Sequence, residues 1–237
     1  MIEEILLLDV IKGYDLDDYL GIGWYRIGKF IFTTNLLEAP DNSRYNRVFW
    51  LRYLVEHVSL SNSNKQIIRK NEQFKISYRR FKLTDELTEL HKNYVAGLKF
   101  KTAETLSGLL MDVDNDIYDT CVAEVRDEGK LIAAGIFDLG RISIAGIVNF
   151  YDHSYSKYSP GKYLMLLKYL FCVKNNIPYY YPGYYSPDYP VFDYKLFIDK
   201  AATEVMLPRE GAWVSYAEFE KNVNNDPAMF AALYYQL

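Results

Sequence analysis

The stretch from Asp152 to Lys162 brings together several groups that can take part in acyl transfer. Asp152 directly follows an apolar run, and its carboxylate can accept a proton or hold an incoming ammonium group. Ser159 and Gly161 belong to a loop that leads into a predicted helix, and the first N–H groups of a helix can bind a phosphate, a ribose or a carbonyl oxygen. The alternatives are a turn role for Asp152 and an ordinary helix start, with Ser159 as cap and Pro160 in the first turn.

Tyrosines surround this stretch. The 237 residues include 23 tyrosines, and a tyrosine ring can stack on an adenine or a ribose while its hydroxyl makes hydrogen bonds. Stacking candidates are Tyr151, Tyr163, Tyr181 and Tyr184, and the position of Tyr151 next to Asp152 places it among the catalytic candidates. For each ring, packing in the core is the alternative.

A basic strip between residues 65 and 82 is the second chemical feature. Lys65 and Arg69 within it are four positions apart and would share one face of a helix. Such a strip suits the backbone of an RNA, although a charge run is often only a solvated face. The whole chain has a net charge of −4, which argues mildly against a dedicated nucleic-acid-binding domain.

The composition indicates a cytoplasmic protein without a metal. Cys121 and Cys172 lie in apolar settings and are expected to be reduced, buried thiols; they are too few for a structural zinc site. The first apolar run has acidic flanks that do not fit a signal peptide, and no segment has the length of a membrane helix. A reducing cytoplasm and no membrane partner are therefore expected.

The elements that must position these groups run from Leu131 to Phe197. The pattern predicts strand, strand, glycine-bearing loop, helix, strand and helix in that order. Further helices are predicted to start at Ser61 and to cover 84–100, and a hairpin turn is predicted at Asp127–Gly129. We expect an N-terminal mixed region over residues 1–80 and an α/β (α+β) region with a mixed sheet over residues 81–237.

Three motifs in order resemble the aminoacyl-tRNA–protein transferases, which comprise eukaryotic arginyltransferases and bacterial aspartate/glutamate leucyltransferases. Gly23–Gly28 (GWYRIG) is similar to the family's G-F/W-R-R-S-G, and 51–71 is similar to a segment that ends S-x-R/K-x-V-L-R/K-N. In 149–195, NFYD resembles T-F-Y-D, SPGKYLML resembles S-L-G-T-Y-A-I-L, and YYYPGYYSPDYPVFDYK resembles Y-V-Y-L-G-Y-W-I-x-D-C-P-K-M-N-Y-K.

The resemblance implies a GNAT-like acyltransferase fold and a reaction in which an amino acid passes from charged tRNA to the N-terminal amine of a protein that begins with an acidic residue. Charged tRNA is then the co-substrate, and no other cofactor is expected. Arg26 and Arg52 are candidates to receive the acidic side chain through paired hydrogen bonds, with salt bridges as the alternative. Residues of the third motif are implied to contact the donor: Gly161, Lys162, Tyr163, Tyr181, Gly183, Tyr184 and Lys195.

The chain also departs from the family. The cysteine pairs of the family's N-terminal module are absent, with Val48 where one cysteine is expected, and Tyr25 and Tyr189 replace an arginine and a cysteine. Two alternatives therefore stay open. One is a GNAT-type N-acyltransferase that uses acetyl-CoA or another acyl-CoA, since the loop partly resembles a pyrophosphate loop without its second glycine. The other is a non-catalytic binding module derived from the family.

Overall fold

A computed structural model describes residues 3–39, 45–98, 103–114, 116–207 and 211–225. The α-helices are α1 Tyr14–Gly21, α2 Asn62–Lys70, α3 Asp85–Ala96, α4 Leu106–Leu110, α5 Pro160–Asn175 and α6 Tyr216–Asn225. Short 3₁₀ segments cover Val55–His57, His153–Tyr158 and Pro190–Leu196. The strands are β1 Glu3–Leu6, β2 Tyr25–Ile27, β3 Phe30–Thr34, β4 Leu36–Glu38, β5 Tyr45–Arg47, β6 Phe49–Leu54, β7 Lys75–Arg80, β8 Thr120–Asp127, β9 Lys130–Leu139, β10 Ser143–Tyr151, β11 Tyr179–Tyr185, β12 Thr203–Leu207 and β13 Ala212–Ser215.

Eight strands of the described chain form one mixed sheet in the order β13-β12-β6-β11-β10-β9-β8-β7. Within it β10 and β11 run parallel, and the other neighbouring strands are antiparallel. A parallel pair needs a crossover connection, and α5 supplies it. The predicted α/β (α+β) fold, with a mixed sheet flanked by helices, is confirmed and agrees with the GNAT-like architecture that the resemblance implies.

Helices α3 and α5 cover opposite faces of this sheet. Successive residues of a strand point to opposite faces. Ala134 and Ile136 of β9 pack with Leu87 of α3, whereas Phe137 packs with Leu166 of α5. Because both faces are covered, every residue from 131 to 138 is buried, as expected for a strand with no solvent-exposed side.

Local sequence signals account for most element boundaries. Ser61 and Thr84 each accept a hydrogen bond from the backbone N–H three residues on, at 3.2 and 3.3 Å, and so cap α2 and α3 as predicted. Glu128 and Gly129 have φ angles of 47° and 93° in the predicted hairpin turn. The last helix predicted between Leu131 and Phe197 is instead the 3₁₀ segment Pro190–Leu196. Residues 99 and 100 of the predicted helix over 84–100 lie outside the described residues.

The predicted division near residue 80 falls between β7 and β8, which pair with each other along their length. In addition, β6 from the N-terminal part lies between β11 and β12, so the division runs through one sheet. The strands of residues 1–80 that lie outside it form a three-stranded sheet, β1-β3-β2, and the β4–β5 pair. Over the described ranges, no helix is both long enough and apolar enough to cross a bilayer.

The carboxylate of Asp17 ties α1 to the turn between β9 and β10. Its Oδ2 accepts hydrogen bonds from the backbone N–H groups of Arg141 at 2.9 Å and Ile142 at 3.0 Å. Its Oδ1 accepts a hydrogen bond from the Ser143 hydroxyl at 2.5 Å. A side chain at Gly140 would overlap this carboxylate. One buried acidic group therefore fixes the N-terminal region against the start of β10.

Replacing Asp17 by alanine leaves the buried hydroxyl of Ser143 and two partly buried backbone N–H groups without their acceptor, and we expect the free energy of unfolding to fall by about 2 kcal/mol. The matched control is Asp18→Ala, since Asp18 is exposed on the same helix and its loss should cost less than about 0.5 kcal/mol. Urea denaturation of both variants measures the difference. Equal losses in the two variants would contradict the role given to Asp17.

Candidate functional site

A gap opens in the main sheet where β10 and β11 diverge. The two strands pair only through Ser143–Ala145 and Tyr179–Tyr181. Just beyond these residues, register shifts interrupt the pairing of β10 with β9 and of β11 with β6. Such irregularities bend a strand and increase its twist. The two strands therefore separate, and their backbone groups face an opening.

The hydroxyl of Tyr25 occupies the fork between the two strands. It lies 2.7 Å from the carbonyl oxygen of Gly146 in β10 and 2.9 Å from that of Tyr181 in β11, so its one proton is shared between acceptors of the two strands at the point where they part. The ring stacks on Trp50 with 5.2 Å between centroids. Burial raises the pKa of Tyr25 well above its ordinary value, so the hydroxyl keeps its proton and remains a donor.

A cavity of about 730 Å³ fills the gap beyond the fork. Its walls come from the first turns of α5, from β10 and β11 past the fork, from side chains of β2, β3, β6 and α3, and from the 3₁₀ segment Pro190–Leu196. Since α3 and α5 lie on opposite faces, the cavity passes through the sheet. Its volume is in the range typical of small-molecule sites.

The N-terminus of α5 forms one end of the cavity. Ser159 adopts a left-handed conformation with φ 56° and ψ 51°, which is uncommon for a residue other than glycine. Ser159 holds the N-cap position and Pro160 begins the helix, as the alternative interpretation stated, but the Ser159 side chain makes no capping hydrogen bond. Gly161 and Lys162 follow in the first turn and line the cavity, where their N–H groups have no partner within the helix.

Lys168 places a buried amine in the cavity from the third turn of α5. Its side chain is 1% exposed, and its Nζ donates a hydrogen bond to Asn149 Oδ1 at 2.9 Å. Burial lowers the pKa of Lys168 to about 7, against an opposing effect of Asp138. Gly135 leaves room for this amine, because a Cβ there would lie 3.2 Å from Lys168 Cε. A lysine with a pKa close to neutral pH is therefore held beside β10.

Lys195 places a second amine in the cavity from the opposite wall. Its Nζ donates to the carbonyl oxygen of Tyr184 at 2.9 Å and lies 4.6 Å and 4.9 Å from the ring centroids of Tyr184 and Phe192. Burial lowers its pKa to about 7. Gly183 has a φ of 98°, which favours glycine, and a Cβ there would approach Lys195 Nζ to 2.9 Å and displace the amine.

Two further polar groups of the cavity have no hydrogen-bond partner within the described part of the chain. They are His91 Nδ1 and Trp50 Nε1, and their residues are 2% and 3% exposed. Burial lowers the pKa of His91, which favours its neutral form. Buried polar atoms are nearly always paired, with protein or with water, so these two atoms are available to a ligand or a water molecule in the cavity.

Arg26 lines the cavity, but its guanidinium is held in a buried network. It donates to Asp138 Oδ1 at 2.8 Å, to Thr120 Oγ1 at 2.9 Å, and to the carbonyl oxygens of Leu110 and Gly28 at 2.8 and 2.6 Å. Arg26 is 5% exposed and Asp138 is 0% exposed. A substrate carboxylate would have to compete with Asp138, so the predicted receptor role of Arg26 finds no support in this arrangement and stays a prediction.

Arg52 also has an acidic partner and lies outside the cavity lining. Its Nε is 2.6 Å from Glu204 Oε2, and its guanidinium lies over the rings of Tyr179 and Trp213 at 4.7 and 4.3 Å. These contacts match the alternative of a salt bridge.

Asp152 does not point into the cavity. Its carboxylate binds Lys130 Nζ at 2.7 Å and accepts hydrogen bonds from the backbone N–H and hydroxyl of Ser154 at 2.9 and 2.6 Å. The bonds from Lys130 and Ser154 lower the pKa of Asp152 to about 2, which makes the carboxylate a weak base. The geometry therefore supports the alternative of a turn residue, and not a proton acceptor.

Part of the predicted set does meet in the cavity lining, and part does not. The residues brought together are Arg26, Tyr151, Ser159, Gly161, Lys162, Gly183, Tyr184 and Lys195. Tyr163 and Tyr181, predicted to contact the donor, are 2% and 3% exposed and pack in the core, as their alternative interpretation stated. Lys65 and Arg69 are exposed on α2.

Lys168, His91 and Trp50 are functional candidates that the sequence interpretation does not include. Lys168 is a single lysine inside the apolar run YLMLLKYLF, and a charged residue on a buried helix face is a usable signal. His91 follows Leu87 by four positions on the buried face of α3. For Trp50, no sequence signal separates it from an ordinary core residue.

The fold is that of an α/β protein with a cavity between two diverging strands, and comparison with known proteins gives its family. The family model described as "Arginine-tRNA-protein transferase, C terminus" matches residues 56–202, more than half of the chain. The chain therefore belongs to this family of aminoacyltransferases.

Individual relatives are distant. The aspartate/glutamate leucyltransferase of Helicobacter hepaticus is 23% identical over 181 residues, which cover 73% of this chain and 72% of the relative. The arginyl-tRNA–protein transferase 1 of Saccharomyces cerevisiae is 40% identical over 68 residues, 29% of this chain and 14% of the relative. The crystal structure of FemX has a TM-score of 0.46 at 10% identity and covers 77% of this chain and 62% of FemX.

Replacing Arg26 by leucine leaves the buried carboxylate of Asp138 without its cation, and we expect a loss of about 3–5 kcal/mol in the free energy of unfolding. Adding Asp138→Leu to this variant should recover most of the loss, because replacing a whole buried ion pair by apolar residues is often nearly neutral. Chemical denaturation measures both variants.

Arg80→Leu is the control for this series, since Arg80 pairs with Asp119 on the surface and should contribute less than about 1 kcal/mol. If the double variant were no more stable than Arg26→Leu, the loss would have to come from packing instead of the unpaired charge.

Proposed function

We propose that this chain transfers an amino acid, arginine or leucine, from charged tRNA to the α-amine of proteins that begin with an acidic residue, with the reaction in the cavity between β10 and β11. Membership of the family supports aminoacyl transfer. The observation that carries the site is a cavity lined from both faces of the sheet that also holds the amines of Lys168 and Lys195. A cytoplasmic place of action is part of this proposal, because charged tRNA is the co-substrate.

Lys168 is the proposed base. In the reaction, a C–N bond forms between the acceptor amine and the ester carbonyl, the ester C–O bond breaks, and the proton that leaves the amine finally resides on the ribose oxygen. A lysine with a pKa of about 7 has a substantial neutral fraction at physiological pH, and a base with a pKa near the working pH is the most effective. Asn149 Oδ1 holds the amine in place at 2.9 Å.

The start of α5 is the proposed contact for the donor. The N–H groups of Gly161 and Lys162 can bind the carbonyl or ribose oxygens of the aminoacyl end, where a preorganised donor stabilises the charge that develops on the oxygen. The rings of Tyr151 and Tyr184 also line the cavity and can stack on the terminal adenosine. The Ser159 hydroxyl, which does not cap the helix, is available to the same ligand.

Exposed cations continue from this end of the cavity onto α2. Lys157 and Lys162 lie before and within the first turn of α5, and Lys65 and Arg69 lie on α2, all exposed. Lys70 Nζ bonds to the carbonyl oxygen of Lys157 and so fastens the end of α2 to the segment before α5. We propose that this surface binds the phosphate backbone of the tRNA, which would make binding strongly salt-dependent.

Lys195 is the proposed receptor for the acidic side chain of the acceptor. Unlike Arg26 and Arg52, it has no salt bridge in the described part of the chain, and its amine points to the carbonyl oxygen of Tyr184. A carboxylate that enters the cavity would pair with this amine and raise its pKa from about 7. The same interaction would select acidic over neutral acceptors.

A transfer assay tests the function and this receptor. The purified chain is incubated with total tRNA charged with radiolabelled arginine or leucine and with peptides that begin with Asp or Asn and are otherwise identical. We expect label on the Asp peptide and not on the Asn peptide. Lys195→Gln should raise KM for the Asp peptide about 10- to 100-fold, whereas Lys200→Gln, an exposed neighbour, should leave it unchanged.

Two results would replace the proposal. Salt-sensitive tRNA binding with no transfer from either donor would indicate a binding module derived from the family. Absence of tRNA binding, together with a saturable rise in Tm on addition of acetyl-CoA, would indicate an acyl-CoA-dependent N-acyltransferase.

The pH dependence of kcat isolates Lys168. Activity should rise as the pH passes through about 7, because the neutral form of Lys168 is the base and its pKa lies there. Lys168→Gln should lower kcat about 100- to 10,000-fold and remove this rising limb of the pH–rate profile. The remaining pH dependence should then come from the acceptor amine, whose pKa is about 7.7–8.0. Lys174→Gln, an exposed change on the same helix, is the control. A variant that keeps both the rate and the limb would exclude Lys168 as the base.

A further inference from the structure

His91 is a buried histidine that the proposed reaction does not use. It lies on the face of α3 that packs on the sheet, and it lines the cavity. Its neighbours on this face, Leu87 and Leu90, belong to the apolar core. The Nδ1 atom of His91 has no hydrogen-bond partner within the described residues. An unpaired polar atom at a core position lowers stability, so Nδ1 is a candidate for contact with a ligand.

The imidazole of His91 is uncharged, and its ring packs against an aromatic neighbour. Burial lowers the pKa of His91, which favours the neutral form. The ring meets that of Phe150 edge to face, with 5.2 Å between centroids and 85° between planes. A neutral imidazole has one N–H donor and one acceptor lone pair. With the proton on Nε2, Nδ1 is an acceptor to which the described part of the protein supplies no donor.

The acceptor substrate of the proposed reaction brings two polar groups into the cavity. Its acidic side chain is assigned to Lys195, whereas its α-amine has no assigned partner. An amine that attacks a carbonyl must be held with its lone pair toward the carbonyl carbon, so its N–H bonds point to hydrogen-bond acceptors. The charged side chains that line the cavity in the described ranges are cations: Arg26, Lys162, Lys168 and Lys195. A neutral nitrogen acceptor therefore suits the amine.

We propose that Nδ1 of His91 accepts a hydrogen bond from the α-amine of the acceptor and so positions the nucleophile. This inference rests on the proposed function and adds a residue to its acceptor site. His91 takes up no proton in this scheme, because the proton that leaves the amine on attack passes to Lys168. Its contribution is orientation of the amine.

The location of His91 agrees with this role. Because α3 and α5 cover opposite faces of the sheet, His91 and the proposed donor contact at the start of α5 approach the cavity from opposite sides. Tyr94, three residues after His91, also lines the cavity. Burial, and then the hydroxyls of Tyr94 and Tyr184, raise the pKa of Tyr194 to about 12. Tyr194 thus connects α3 with the wall that carries Lys195.

Two peptides that differ only in the α-amine test the inference by binding. One begins with Asp; in the other a succinyl group replaces Asp, which removes the amine and keeps the side-chain carboxylate. Isothermal titration calorimetry on the full chain gives both Kd values at about pH 8, where half or more of the amine is neutral. We expect the Asp peptide to bind about 10-fold more tightly than the succinyl peptide.

Variants of His91 should change this ratio in a graded way. His91→Leu removes the acceptor, so the two Kd values should become equal. His91→Asn keeps a side-chain oxygen close to the position of Nδ1 and should restore part of the preference. In the transfer assay His91→Leu should lower kcat/KM for the Asp peptide about 10- to 100-fold. Its Tm should not fall by more than about 3 °C, because the hydrogen-bonding atom that is lost has no partner in the protein.

Two further variants serve as references. His57→Leu changes a histidine whose side chain is 60% exposed and which does not line the cavity, so it should alter neither the ratio nor the rate. Lys195→Gln removes the proposed partner of the side-chain carboxylate. It should weaken both peptides by the same factor and leave the ratio unchanged, which separates recognition of the carboxylate from recognition of the amine.

The outcomes separate this inference from the function on which it rests. An unchanged ratio in His91→Leu, or an equal loss for both peptides, overturns the role of His91 and leaves aminoacyl transfer in place. Loss of the ratio in His91→Leu and its return in His91→Asn, with no transfer by the unmodified chain, supports the amine site and refutes the proposed reaction. Failure of the unmodified chain to bind either peptide overturns both.

Discussion

The separation of β10 from β11 is the constraint on which the site depends. Two parallel strands that paired along their full length would close the sheet and leave no room for a ligand. Here pairing stops after three residues on each strand. The Tyr25 hydroxyl lies within hydrogen-bond distance of the carbonyl oxygens of Gly146 and Tyr181 at the fork. Tyr25 belongs to the N-terminal hairpin formed by β2 and β3. Its hydroxyl thus bonds to the backbone in the middle of the main sheet. The opening is held by specific bonds of the protein itself.

Charge is distributed around this opening in a consistent way. Negative groups near it are neutralised by the protein itself: Asp138 by Arg26 and Asp152 by Lys130. The amine of Lys168, in contrast, is buried and that of Lys195 is partly buried, and each donates to a neutral oxygen acceptor. Burial without a counter-ion brings both pKa values to about 7. The cavity is therefore prepared for an anionic or neutral reactant and for proton transfer near neutral pH.

The fold was largely accessible from sequence because its signals are local. Cap residues such as Ser61 and Thr84, the turn at Glu128 and Gly129, and the apolar helix after Pro160 all act within a few positions. The insertion of β6 between β11 and β12 is different, since it joins segments about 130 to 150 residues apart and has no local signal.

The site was only partly accessible for the same reason. Motif similarity located the start of α5 and Lys195, but it also selected Asp152 and Tyr163, whose surroundings give them structural contacts instead. Whether a tyrosine faces a core or a cavity is decided by strand divergence, which a one-dimensional pattern does not contain. The importance of Lys168 depends on its burial and on the space left by Gly135, and both are properties of the assembled sheet.

Because β6 lies between β11 and β12, a shorter fragment of the protein would lose a central strand of the main sheet. The range that sequence similarity recognises, 56–202, begins just after β6 and ends just before β12. A fragment cut at those limits would leave one edge of β11 bare and would lack the side chains of Tyr25 and Trp50. Bare strand edges invite intermolecular pairing, so such a fragment should aggregate instead of folding into a smaller enzyme. The range that similarity identifies is thus smaller than the eight-stranded sheet, and we expect that a fragment designed to fold must also include β6, β12 and the hairpin of β2 and β3.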